Sequence, residues 1–261
     1  MKSNPRILIS NDDGIDAPGL KILQTIAAEL SDDVWVVAPD SNQSGASHRF
    51  TLGTELEYSE VSSRVFSLNG TPADCIVAGY THLLHDTPPD IVLAGVNHGQ
   101  NMGDIINCSG TAAAAREGAL QGALGIALSQ AVDYQNQRDV EWDCAIAHGV
   151  GVLKSLIAKV QGGTPRNNDL YYNINFPNCA PDKVSGVDLV PHQRFDRSAF
   201  RHYPSKNEGK FFISIPETPT PMQENHDFHA LHLANAITVT PLTLRFSDLE
   251  EVQRLRGTIT F

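Results

Sequence analysis

Arg6-Ile7-Leu8-Ile9-Ser10-Asn11-Asp12-Asp13-Gly14 is the stretch on which the reading of the fold turns. A short, unbroken apolar run that stops at a cluster of turn-forming residues reads as a strand buried on both faces. Asn, Asp and Gly all favour the turn that follows. Outward from it, Pro18 suits the first turn of a helix, and Leu20, Leu23, Ala27 and Leu30 recur at helical spacing. Residues 34–38 (VWVVA) then read as a second strand. Strand, helix and strand in that order form a βαβ unit, which requires parallel pairing and a right-handed crossover.

The pattern repeats along the chain. Strands are expected at 64–68, 90–96, 124–128 and 170–176, and helices from Pro72 through Leu84, over 111–122 and over 141–160. This predicts an α/β fold: a Rossmann-like, mostly parallel sheet with helices on both faces. After Pro177 the texture changes to strand-like pieces (VDLVP, KFFISIP, AITVTPL) separated by polar and Pro-rich segments, with 216–227 as loop. Residues 247–256 read as a closing helix capped by Ser247, with Glu250 at the capping-box position. The expected division is a core over 1–180 and a strand-rich extension over 181–261.

Ligands bind open parallel sheets at the carboxyl ends of the strands, so each exit is a candidate site. The first offers Asp12 and Asp13, adjacent carboxylates whose repulsion a cation would relieve. Oxygen ligands suit Mg²⁺, Mn²⁺ or Ca²⁺. The second exit, residues 39–47, lacks the G-x-S-x-G elbow of a serine nucleophile, and Ser44 reads better as a neutral ligand to metal or phosphate. At the exit of 90–96, Asn97 and Asn101 can offer carbonyl oxygen to a cation or NH₂ to a phosphate. Ser109-Gly110-Thr111 precedes an Ala-rich helix, where free N–H groups attract a phosphate or the hydroxyls simply cap. Together these exits fit metal-assisted phosphate hydrolysis.

Other classes fit poorly. The 19 basic and 30 acidic residues give a net charge of -11, which disfavours a nucleic-acid polymer or an anionic membrane as partner. No signal peptide and no apolar run of membrane-spanning length is read, and Cys75, Cys108, Cys144 and Cys179 form no C-x-x-C motif; the expectation is reduced thiols in the cytoplasm. Neither a P-loop nor G-x-G-x-x-G is present. His226, His229 and His232 are spaced by three, but in a strand-flanking stretch that spacing does not share one face.

The stretches 7–20 (ILISNDDGIDAPGL), 36–52 (VVAPDSNQSGASHRFTL), 69–75 (NGTPADC), 90–118 (DIVLAGVNHGQNMGDIINCSGTAAAAREG) and 237–242 (ITVTPL) together resemble the SurE family, the survival protein E 5′/3′-nucleotidases. The resemblance implies one divalent cation, Mg²⁺ or Mn²⁺, on Asp12, Asp13, Ser44 and Asn97, and phosphate contacts at Asn101, Ser109, Gly110 and Thr111. It implies nucleoside 5′- and 3′-monophosphates as substrates, short polyphosphate for some members, and a C-terminal part used to build a homodimer or homotetramer. In this reading Asp12 and Asp13 are also the catalytic pair, one of them taking a proton from the attacking water. Two rival readings are a haloacid-dehalogenase-like phosphatase with an aspartyl nucleophile, whose D-x-D spacing is missing here, and a metal- and nucleotide-binding sensor without turnover.

Overall fold

The short apolar runs lie side by side, as strands buried on both faces must. The computed structural model describes residues 4–133, 141–161, 169–198, 200–214, 219 and 221–258. Strands β1 (Ile7–Ser10), β2 (Val34–Pro39), β4 (Val65–Leu68), β5 (Ile91–His98), β6 (Leu124–Gln130) and β7 (Leu170–Phe176) pair in parallel, in the order β4-β2-β1-β5-β6-β7. One edge gains β3 (Tyr58–Ser62), antiparallel to β4. The other gains β11 (Ile237–Thr243), antiparallel to β7, and then β8 (Val187–Leu189) parallel to β11. Two strands from beyond residue 180 thus complete the nine-stranded central sheet.

Alternation along the strands decides which helix covers which face. Ile7, Ile9, Ile91, Leu93, Ile126, Leu128, Ile174 and Phe176 face α1 (Pro18–Ala28) and α4 (Asp143–Gln161), against Leu20, Leu23 and Leu153. Leu8, Val92, Ala94 and Ala127 face α2 (Pro72–Ala78) and α3 (Gly110–Leu120), against Ile76, Ala115 and Ala119. Each fully buried Ile or Leu contributes roughly 1.5–3 kcal/mol, so the inner strands form a rigid base for the loops at their ends. Thr71 caps α2 and forms a reciprocal box with Asp74: its Oγ1 accepts from Asp74 N–H at 3.2 Å, and Asp74 Oδ2 accepts from Thr71 N–H at 2.9 Å. The helix expected to run to Leu84 instead changes to a wider π turn over Gly79–Leu83.

One strand carried no signal in the sequence, and two further expectations need correction. The polar segment Tyr58–Ser62, all of it exposed, is an edge strand that shows no buried alternation. The stretch read as loop and strand flank contains a short helix, α5 (Asp227–His232). The closing helix α6 (Leu249–Leu255) begins later than expected, and Asp248 rather than Ser247 caps it, accepting from Glu251 N–H at 2.9 Å. A separate two-stranded sheet pairs β9 (Arg201–Pro204) with β10 (Phe211–Ser214).

Candidate active site

The exits of β1, β2 and β5 and the start of α3 meet at one end of the sheet. Asn11 folds the first loop: its Nδ2 donates to Gly14 C=O at 2.9 Å and its Oδ1 accepts from Gly14 N–H at 3.2 Å. Gly14 has φ +105°, which the missing Cβ allows. The following carboxylates therefore leave the turn in different directions. Asp12 is only 4% exposed and reaches the first turn of α3, where the Thr111 hydroxyl and backbone N–H both donate to it. Asp13 is partly buried, and its Oδ2 accepts from His98 N–H at 3.1 Å.

Gly110 makes the first of these contacts feasible. A Cβ there would lie 2.7 Å from Asp12 Cβ and 3.0 Å from Asp12 Oδ2. The carboxylate thus occupies the positive end of the helix at close range. Burial nevertheless dominates: desolvation, with a smaller push from Asp13, outweighs the Thr111 bonds and raises Asp12 from 3.8 to about 6. Desolvation also raises Asp13, against the opposing pull of His98. Two carboxyls held above their ordinary range side by side form a site that a cation would stabilise.

The other candidate residues surround this pair. Gln43 N–H donates to Asp12 C=O at 2.7 Å, which pins the second loop to the first. Ser44 is the next residue; its side chain is exposed, and its N–H donates to Asn42 Oδ1 at 2.8 Å. Asn97 lies beyond a register shift between β5 and β6, the kind of irregularity that re-aims a side chain. Its Nδ2 donates to Gly99 C=O at 2.6 Å, so its carbonyl oxygen is the group on offer. Asn101 is buried, with its Nδ2 on Ser129 Oγ at 3.0 Å. Ser109 caps α3, accepting from Ala112 N–H at 3.0 Å. Thr111 and Gly110 thus hold Asp12, while Asn101 and Ser109 stand at the two ends of the 101–109 segment.

Sequence reasoning missed a latch between the second loop and α3. His48 Nε2 meets Glu117 Oε2 at 3.0 Å, and Arg116 Nη1 meets His48 Nδ1 at 2.8 Å. Burial pushes Glu117 up, but hydrogen bonds with His48 and Gln121 outweigh it and leave the carboxyl below its ordinary value. An i, i+1 acid and base on a helix that is Ala-rich elsewhere is the only sequence trace of this latch.

The decoys resolve differently. His229 and His232 do share a helix, α5, contrary to the strand-flank reading. Their rings do not form a metal cage, and among the described residues no three His, Cys, Asp or Glu side chains do. His232 is instead stacked on Phe228, and burial lowers its pKa. Burial raises the Cys108 thiol, the opposite of what a reactive thiolate needs.

A family model described as survival protein SurE matches residues 7–198. The chain belongs to the SurE family. SurE relatives cover nearly all of it. It is 41% identical to the 5′-nucleotidase SurE of Methylorubrum populi, over 95% of this chain and 97% of that one. It is also 41% identical to the 5′-nucleotidase SurE of Rhodopseudomonas palustris, over 97% and 99%. The crystal structure of the SurE protein from Aquifex aeolicus superimposes with a TM-score of 0.82 at 29% identity, covering 97% of this chain and 99% of that one. Among the described residues, no helix is long and apolar enough to cross a membrane.

Proposed function

We propose that this SurE chain is a 5′-nucleotidase that hydrolyses nucleoside 5′- and 3′-monophosphates to nucleoside and phosphate, with short polyphosphate as a further substrate. The observation that carries the reading is the paired Asp12 and Asp13 at the first strand exit, one of them seated on the start of α3. The names of the SurE relatives support the 5′-nucleotidase part of this reading.

One divalent cation, Mg²⁺ or Mn²⁺, fits the donors present. Asp12 and Asp13 bring negative charge that burial leaves poorly compensated, and Ser44 and Asn97 bring neutral oxygens. When bound, such a cation supplies charge to the phosphoryl oxygens and acidifies water. The chain's own residues do the rest. Asn101 and the Ser109 end of α3 donate to the phosphate oxygens. Thr111 and Gly110 fix Asp12, and one aspartate of the pair takes the proton of the attacking water. Displacement is direct, without a phosphoenzyme. The same reading makes the protein a cytoplasmic homodimer or homotetramer.

Turnover of AMP in the presence of Mg²⁺ or Mn²⁺, abolished by a chelator and restored by added cation, is the expected result. Full activity in chelator removes the cation from the reading. Binding without turnover favours the sensor, and a trapped phosphoaspartate favours the dehalogenase-like route.

A further inference from the structure

The face of the sheet that packs against α2 and α3 changes character toward the carboxyl ends of its strands. Along β6 it passes from Ala127 to Ser129, and along β7 from Tyr171 to Asn173 and Asn175. On β11 the residues opposite Asn175 and Asn173 are Thr238 and Thr240. All of these polar residues are buried, with Ser129, Asn173, Asn175 and Thr238 completely so. Burying amides in a strand is costly unless they are hydrogen-bonded. Here both asparagines bond to a single residue of the loop above.

That residue is Asn101. Its backbone N–H donates to Asn175 Oδ1 at 2.8 Å. Its C=O accepts from Asn175 Nδ2 at 3.1 Å and from Asn173 Nδ2 at 2.8 Å. One side-chain amide thus grips both sides of the Asn101 backbone, as a neighbouring strand would. Ser129 Oγ accepts one hydrogen of the Asn101 side-chain amide at 3.0 Å, which orients that amide and leaves its second hydrogen for a ligand. Two residues on, Gly103 N–H donates at 2.8 Å to Asp227, a fully buried carboxylate of α5 that also accepts from Gln193 N–H at 2.8 Å. The loop is therefore held from beneath by β6 and β7, and at its far end by the C-terminal part of the chain.

We propose that Asn175 is a positioning residue, aided by Asn173 and Ser129, that presents the Asn101 amide to the substrate phosphate. The proposal rests on the reading of Asn101 as a phosphate contact. Core packing alone would be met by apolar side chains, as it is at Ile174 and Phe176 on the opposite face of the same strand. Convergence on the backbone of one loop residue is what positioning requires.

The test is a double-mutant cycle on the full-length enzyme with Mg²⁺ and AMP, reading kcat and KM, with inhibition by inorganic phosphate as a second measure. Asn101→Ala is expected to lower kcat/KM about 100-fold. Asn175→Ala should lower it roughly 10- to 100-fold, because an ångström of displacement in a phosphate donor has effects of that order. Ser129→Ala removes a single oxygen and provides a milder variant should Asn175→Ala fold poorly; thermal melting checks both. If Asn175 and Ser129 act through Asn101, each loses most of its effect in the Asn101→Ala background, and phosphate inhibition weakens in step. Losses that multiply in full, or a silent Asn175→Ala beside a crippled Asn101→Ala, overturn the positioning role alone. An Asn101→Ala enzyme with normal kcat/KM and normal phosphate inhibition overturns the phosphate reading beneath it.

Discussion

At Asp12, desolvation and the charge of Asp13 act against two donors from Thr111, and desolvation wins. The gap between 3.8 and about 6 corresponds to roughly 3 kcal/mol. The folded pKa lies above the unfolded one, so this contribution to stability is fully present below pH 3.8 and is lost as pH rises through 6. The cation-free protein at pH 8 therefore carries the whole cost of an ionised, buried Asp12. Asp12→Asn should raise the melting temperature of the chelated protein at pH 8, with a gain that shrinks as pH falls toward 4; a gain independent of pH would contradict the assignment. The same substitution should reduce AMP turnover at saturating cation about 100-fold or more, and so should Asp13→Asn, because the amide keeps the turn but loses the charge. Near-normal turnover in both folded variants would leave Asn11–Gly14 as a turn and nothing more. The two aspartates were legible because a buried parallel strand has only one end at which ligands bind. Their different settings were not, since Thr111 lies 99 residues from Asp12 in sequence and meets it only through the crossover packing of α3.

Element boundaries followed how strongly each segment depends on burial. β1, β5 and β6 are buried along nearly their whole length, and their apolar runs announced them. β3 carries no apolar alternation, because it is an exposed edge held by its pairing to β4. The six residues of α5 are too few to show a helical period, and that helix stands because Asp227 and Phe228 are buried. At α6 two capping residues are adjacent in sequence, and only the backbone decides between Ser247 and Asp248. The start of α3 carries the sharpest consequence. Its Ser-Gly-Thr reads as an ordinary cap, yet Gly110 is required by contact with Asp12 rather than by helix termination. Gly110→Ala is a favourable change by helix propensity, worth about 1 kcal/mol in an open helix. Here the added methyl must displace Asp12 or tilt α3, so turnover should fall on the order of 100-fold with helix content unchanged by circular dichroism. Unimpaired turnover would mean that Asp12 does not depend on this close approach.

Across the whole molecule, the segment after residue 180 does two different things. β8, α5 and β11 are built into the central sheet and its loops, and Asp227 belongs with them. The hairpin of β9 and β10 stands apart, and all eight of its strand residues are exposed. Tyr203, Phe211, Phe212 and Ile213 put apolar surface on both faces of that hairpin, since consecutive strand residues point opposite ways. Phe246, 87% exposed with the Arg116 guanidinium of α3 over its ring, and Leu249 and Val252 of α6 add further exposed apolar side chains. A two-stranded hairpin alone is marginal in water, and soluble monomers rarely leave contiguous apolar patches of this kind uncovered. A second copy of the chain would cover these surfaces symmetrically. Light scattering at micromolar concentration should therefore give a dimer or tetramer mass. Replacing Phe211 and Ile213 with Ser or Lys, on exposed positions of a two-stranded sheet separate from the one that ends in Asp12 and Asp13, should shift that mass downward while cation-dependent AMP turnover per chain persists. A wild-type monomer, or variants of unchanged mass, would show that the hairpin is not the joining element.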